Sequence, residues 1–265
     1  QPTPAAVAAE IAAALEPPPD AAAPRFADFP IPAGARGPLE RMLRDLADWQ
    51  AGRLPWRDVT RGLLLAGPPG TGKTEIARLL AREAGIGFEV GSLAEWSAAG
   101  RSSDTIRAMR AFFARAAAAA PAIAFIDELD AIDTRERRAD HNTAYTSYIV
   151  NALIEALDGF AGCDGVVFLA ATNYPDRIDP AVRRPGRFDR ILPIPGPGPD
   201  LLPQVLRYHL RGDLSDADLS APAARLAGRS GAAIAALVRE ARARAREARR
   251  ALTRADLEAA LEADA

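Results

Sequence analysis

Eight consecutive residues, Gly67-Pro68-Pro69-Gly70-Thr71-Gly72-Lys73-Thr74, combine three glycines with an ammonium and a hydroxyl. Glycines let the backbone turn its N–H groups inward around a phosphate, and a helix that starts where they end adds partial positive charge. In such a loop Lys73 reaches the β- and γ-phosphates of a nucleotide, and the Thr74 hydroxyl ligates Mg²⁺. Of the 33 Lys and Arg residues in the chain, Lys73 is the one lysine. A compact ammonium on a flexible stem does there what a planar guanidinium does not. Further along, the apolar run Ile123-Ala124-Phe125-Ile126 ends in two carboxylates, Asp127 and Glu128. Asp127 suits a magnesium shell, because a hard cation takes oxygen ligands. Glu128 suits a base that orients or polarises an attacking water. Taken alone, the pair reads equally well as the acidic start of a helix; beside a phosphate loop the catalytic reading prevails.

These groups act together only if strands and helices bring them to one place. Apolar runs near 62–66, 87–90, 123–126, 166–170 and 190–194 read as buried strands. Helical patterns near 38–51, 73–84, 104–119 and 143–157 lie between or before them. Pro38 is read as the first-turn residue of the helix that opens the series. Alternating β and α elements with near-continuous apolar strands predict a parallel sheet covered by helices on both faces. Ligands of such sheets collect beyond the carboxyl ends of the strands, where the phosphate loop and Asp127 both fall.

Pro195-Gly196-Pro197-Gly198-Pro199 breaks the alternation, and only helical patterns follow, near 200–210, 217–227, 231–249 and 254–262. Thr253 with Asp256 three residues later is read as a cap for the last of these. The expected organisation is an Ala/Pro-rich linker over 1–25, an α/β nucleotide-binding domain over 26–195 and a small all-α lid domain over 196–265.

Three segments carry a resemblance to a known family. They are residues 67–74, the run Phe125-Ile126-Asp127-Glu128-Leu129-Asp130-Ala131-Ile132, and Ala171-Thr172-Asn173 through Ile178-Asp179-Pro180-Ala181-Val182-Arg183-Arg184-Pro185-Gly186-Arg187-Phe188-Asp189-Arg190. In order and spacing they resemble the AAA family of the AAA+ superfamily, in the branch of FtsH-type proteases, proteasomal ATPases and related unfoldases. The similarity runs over about 26–262. It implies a P-loop NTPase fold, ATP and Mg²⁺ as ligands, and ATP hydrolysis. It also implies that Asn173 is the sensor holding the lytic water. Arg184 and Arg187 match the family's arginine fingers, which act in trans on the ATP of a neighbouring subunit, so a homo-oligomer, a hexamer, is expected. His209 falls where the family often places a histidine near adenine, with a partly buried core histidine as the alternative. Gly231 and Ala232 match a turn of the helical domain beside the nucleotide.

Two departures accompany the resemblance. The family's pore loop sets a large residue just before a glycine, whereas this chain has Glu95-Trp96-Ser97-Ala98-Ala99-Gly100. Trp96 is read either as a displaced gripping side chain or as a core residue at a helix end. Ala233 stands where the family commonly has Asp, which puts coupling between the domains in doubt.

With 49% hydrophobic residues and a net charge of −2, the chain can bury a large core, and bulk positive charge gives no reason to expect nucleic acid. The arginines between Arg239 and Arg250, interleaved with Ala and Glu, read as a solvated helix face. Cys163 is the one cysteine and has no partner for an intramolecular disulfide. The chain begins at Gln1 without a recognisable signal peptide, and it reads as a portion of something longer in a cytoplasmic or cytoplasm-facing setting. Any membrane anchor belongs outside it. The expected function is ATP hydrolysis by a ring-forming module that remodels or unfolds protein substrates. The alternatives are a nucleotide-switched assembly module with little threading, and the ATPase portion of a membrane-bound zinc protease. No His-Glu-x-x-His occurs in the chain, so protease chemistry would lie beyond Ala265.

Overall fold

The computed structural model describes residues 24–98, 102–131, 143–159, 163–188, 190–214 and 219–263. Most of the expected linker, together with Ala99, Gly100, Ile132 and Asp189, lies outside the described residues.

Short apolar runs become the strands of one sheet: β1 (Gly62–Ala66), β2 (Gly87–Ser92), β3 (Ala122–Asp127), β4 (Val166–Thr172) and β5 (Arg190–Pro193). Their order is β2-β3-β4-β1-β5, and every pairing is parallel. β1, β3 and β4 are flanked on both sides, so both their faces are covered, which explains why they lack polar alternation. Leu63 and Leu65 point to one face and Leu64 to the other, as the two-residue period requires.

On the first face lie α1 (Ala33–Gln50) and α2 (Lys73–Glu83), which bring Leu39, Met42, Leu46, Ile76 and Leu80 against Leu63, Leu65 and Phe125. The short α3 (Leu93–Ser97) follows β2 directly. The second face holds α4 (Ser102–Ala118) and α5 (Thr143–Gly159), whose Met109, Phe112, Phe113, Ile149 and Leu153 cover Leu64, Ala124 and Phe168. After the Pro/Gly segment come α6 (Leu202–Leu210), α7 (Ser220–Ala224), α8 (Gly231–Glu247) and α9 (Arg254–Ala263). These helices bury a third apolar cluster drawn from their own residues and the segments between them.

The fold therefore has the expected class, a P-loop-type α/β sheet with a helical C-terminal part. Several boundaries differ. α1 starts at Ala33, so Pro38 lies inside the helix and not in its first turn. An interior proline removes a donor and costs about 3 kcal/mol. Full burial of Leu39, Met42 and Leu46 offsets this at about 1.5–3 kcal/mol each, and the buried Ala35 ties the upstream turn to the same face. β2 runs two residues past the expected 87–90, because Gly91 and Ser92 pair with Ile126 and Asp127 of β3. α7 is shorter than 217–227, with Pro222 inside it.

Two of the four helix starts described in the C-terminal part, those of α8 and α9, have a side-chain cap. The Ser230 hydroxyl accepts from Ala233 N at 3.2 Å. Asp256 accepts from Thr253 N at 2.9 Å and from its hydroxyl at 2.7 Å. Arg250 completes this cap with a bidentate contact and, with Thr253, holds the Asp256 carboxyl well below the usual carboxylate range.

Candidate functional site

β1 ends in the glycine-rich turn, and that turn delivers Lys73 to the first position of α2. Gly70 and Gly72 have φ of +75° and +88°, a left-handed backbone that other residues rarely adopt. A Cβ on Gly72 would stand 2.6 Å from Phe29 Cζ, so the turn is also closed on by the chain's N-terminal segment. Lys73 is 8% exposed. Its Nζ donates to Gly67 O at 2.7 Å, to Pro68 O at 3.0 Å and to Asn173 Oδ1 at 2.9 Å. Burial lowers the Lys73 pKa, and the Asp127 and Asp130 carboxylates oppose that shift. The lysine is thus pointed at the carboxyl edge of the sheet by groups from two separate strand ends, β1 and β4.

Thr74, one residue further, donates its hydroxyl to Asp127 Oδ2 at 2.7 Å. A serine or threonine hydroxyl and a carboxylate at one point form an oxygen donor set that fits magnesium, which takes one or two protein ligands and fills the rest of its octahedron with water and substrate phosphate. Glu128 follows Asp127 with φ of +52°, a strained conformation for a residue with a side chain. Its N–H donates to Asp127 Oδ1 at 2.9 Å, and its Oε2 accepts from the Ser92 hydroxyl at 3.2 Å.

Asn173 is positioned by a residue to which the sequence analysis assigned no role. Asp130 Oδ1 accepts from Thr172 Oγ1 at 2.8 Å and from Asn173 N at 3.0 Å. Asp130 belongs to the short helical turn Leu129–Ala131 just after Glu128, so a single segment carries Asp127, Glu128 and the anchor of Asn173. The signal was present as a third acidic residue in that run, but only the fold puts it beside β4.

These residues meet around a cavity of about 640 Å³. Its lining includes residues 69–74, Asp127, Glu128 and Asn173 from the sheet side, and His209, Gly231 and Ala232 from the helical part. Gly67 and Pro68 do not line it; their carbonyls hold Lys73. Ala232 N donates to Gly70 O at 3.0 Å, so the helical part is fastened directly onto the glycine turn. His209 is half-buried. Burial, followed by Arg211, Arg239 and Arg242, lowers its pKa, while a hydrogen bond with the Gly231 backbone opposes the shift. That shift favours the neutral imidazole. His209 is therefore partly buried and also lines the cavity.

Arg184 and Arg187 are not among the cavity's lining residues. Arg184 is exposed. Arg187 makes a bidentate contact with Asp158 on α5, at 2.7 and 2.6 Å, and donates to Ala181 O at 2.6 Å. The hydrogen bonds to Asp158 raise the Arg187 pKa and lower that of Asp158. Asp158 is a second residue that spacing did not reveal, since 29 positions separate the partners. Trp96 takes the core alternative. Its ring packs on Phe112 with centroids 5.2 Å apart and joins the apolar cluster of the second face.

Residues 63–196, just over half of the chain, match the model of the ATPase family associated with various cellular activities (AAA). The chain is 39% identical over 241 residues to the ATP-dependent zinc metalloprotease FtsH of Acidothermus cellulolyticus, a match covering 88% of this chain and 35% of that protein. It is 40% identical over 186 residues to ATP-dependent zinc metalloprotease FtsH 1 of Symbiobacterium thermophilum, covering 69% and 31% respectively. Protein SAV of Sulfolobus acidocaldarius is 36% identical over 217 residues, covering 77% of this chain and 27% of its own. The matched region spans about a third of the length of these curated relatives.

Proposed function

Because this chain belongs to the AAA family of ATPases, we propose that it binds magnesium–ATP in the cavity between sheet and helical part and hydrolyses it. One observation carries the reading. The lone lysine, the Thr74–Asp127 oxygen pair and Asn173 converge at the carboxyl ends of β1, β3 and β4, through contacts of 2.7–2.9 Å.

In this reading Lys73 exchanges its carbonyl partners for β- and γ-phosphate oxygens, and its burial makes that anionic partner worth more than it would be in water. Thr74 and Asp127 would hold magnesium, which when bound would neutralise phosphate charge. Glu128 orients the attacking water, with Ser92 fixing the carboxylate. Asn173, steadied by Asp130, offers its amide on the other side of that water. The backbone of residues 69–74, which lines the cavity, surrounds the β-phosphate. His209, Gly231 and Ala232 form the wall at the nucleoside end. In the same reading nucleotide chemistry belongs to 26–195 and a lid to 196–265.

The wider reading is a homo-oligomeric ring, a hexamer, that remodels protein, with Arg184 and Arg187 reaching the nucleotide of the next subunit. Its support is the family, the relatives named FtsH, and the position of both arginines away from their own chain's cavity. Arg187 must leave Asp158 to serve this role. A cytoplasm-facing setting belongs to the same reading. Among the described residues, no helix is long and apolar enough to cross a membrane.

Calorimetry with magnesium and a non-hydrolysable ATP analogue tests the core of the proposal. The intact chain is expected to show saturable heat, and Lys73→Ala to show none at the same concentrations. Equal heats from the two proteins would overturn it.

A further inference from the structure

The nucleoside end of the cavity contains a side-chain pair that the phosphate chemistry does not use. Glu75, directly after Thr74 on α2, and Tyr208, on α6, both line it. The Tyr208 hydroxyl donates to Glu75 Oε1 at 3.4 Å, which links the sheet side to the helical part. Burial, and then Glu75, pushes the Tyr208 pKa up to about 12, so the phenol keeps its proton at any physiological pH. With Oε1 taken by that proton, Oε2 remains as acceptor. It is ion-paired with Arg78 Nε at 3.9 Å, and a carboxylate oxygen's further lone pair leaves it able to accept from a ligand as well.

The cavity wall that holds this carboxylate carries the aromatic ring of Phe29 and several prolines beside the cations Arg78, Arg211 and Arg239. Phe29 meets Tyr208 edge to face, with centroids 5.0 Å apart, and its ring tip closes on Gly72. Pro30, Pro32, Pro195 and Pro197 line the same cavity, and proline has no N–H to offer a base. A planar base entering here meets aromatic surface on one side and finds a carboxylate oxygen that accepts a hydrogen bond.

We propose that Glu75, held by Tyr208, is the base-reading residue of this ATPase, its carboxylate accepting a hydrogen bond from the 6-amino group of adenine. The proposal rests on the reading of the cavity as the ATP site. It makes the site reject a 6-oxo purine, because a carbonyl oxygen facing the carboxylate leaves two acceptors opposed and both unpaired.

The test compares non-hydrolysable analogues of ATP and inosine triphosphate, which differ at the 6-position, by calorimetry on the intact chain, Glu75→Gln, Glu75→Leu, His209→Ala and Lys73→Ala. Circular dichroism checks that each variant is folded. The intact chain is expected to bind the adenine analogue at least about tenfold more tightly than the inosine one. Glu75→Gln brings the two within about threefold, because the amide can turn to donate to the 6-oxo group. Glu75→Leu loses the preference by weakening adenine binding alone. A preference unchanged in both Glu75 variants would overturn the assignment while leaving the phosphate site intact. So would a preference lost only in His209→Ala, or tighter binding of the inosine analogue than of the adenine analogue by the intact chain. Undiminished binding of either nucleotide by Lys73→Ala is a separate result, and it would remove the phosphate site itself.

Discussion

Lys73, Asp127, Glu128 and Asn173 depend on neighbours for their aim, and those neighbours make their roles testable. Glu128→Gln preserves shape and the Ser92 contact but removes the charge that the proposed mechanism uses to polarise water. Turnover is expected to fall by about 10²-fold or more, the range for loss of a positioned base, with affinity for the ATP analogue retained. Unchanged turnover would end its assignment. Glu128 is also held at φ +52°, which costs on the order of 1–3 kcal/mol. Glu128→Gly therefore abolishes turnover without lowering the denaturation midpoint, a combination a merely structural residue does not give. Asp130 acts through Asn173. Asp130→Ala removes the acceptor for Thr172 Oγ1 and Asn173 N, and kcat is expected to fall further than nucleotide affinity. Equal losses in both would make Asp130 a fold residue only.

The elements that carry these residues are stabilised unequally. Phe112 is fully buried where α4 meets the sheet, so Phe112→Ala is expected to cost roughly 3–5 kcal/mol in chemical denaturation. Trp96, packed on Phe112, belongs to the same cluster. Trp96→Ala is expected to destabilise the fold, read by the same denaturation measurement. α8 begins at the cap that also faces the glycine turn. Ser230→Ala costs about 1 kcal/mol at that cap. At the start of α9 the sign of the pH dependence follows from the depressed Asp256 pKa. A carboxyl more acidic in the folded than in the unfolded chain adds stability above its unfolded pKa. That contribution disappears as pH falls through the folded value. Asp256→Asn is thus expected to lower the melting midpoint at pH 7 and to leave it unchanged in strong acid.

Taken whole, the molecule is an ATPase module in which Arg184 and Arg187 lie away from the chain's own cavity. If Arg187 acts in trans, specific activity rises with protein concentration. Arg187→Ala then removes that rise, with a loss approaching the 10³–10⁵ range known for such fingers, and leaves single-subunit nucleotide affinity unaltered. Activity independent of concentration in both proteins would exclude the ring mechanism. The Asp158–Arg187 contact sets where this effect begins, since a neighbour's phosphates must compete with a bidentate carboxylate.

Much of this was legible before any coordinates. Residues 67–74 and 123–128 are local patterns, and local backbone chemistry with strand periodicity suffices to read them: the glycine turn, the lone lysine, the carboxylate-tipped strand and the α/β class all follow from neighbours in sequence. The start of α1 did not follow, because Pro38 reads as a first-turn residue until burial of Ala35 extends the helix upstream. Nor did Asp130 beneath Asn173, Asp158 on Arg187, Trp96 in the core, or Glu75 beside Tyr208. Each is a pairing made when residues distant in the chain, or helices from opposite ends of the fold, are brought together around the sheet. Side-chain type alone does not say which of several carboxylates will meet a given hydroxyl or guanidinium; the packing of the sheet's two faces and the seating of the helical part on the glycine turn decide it.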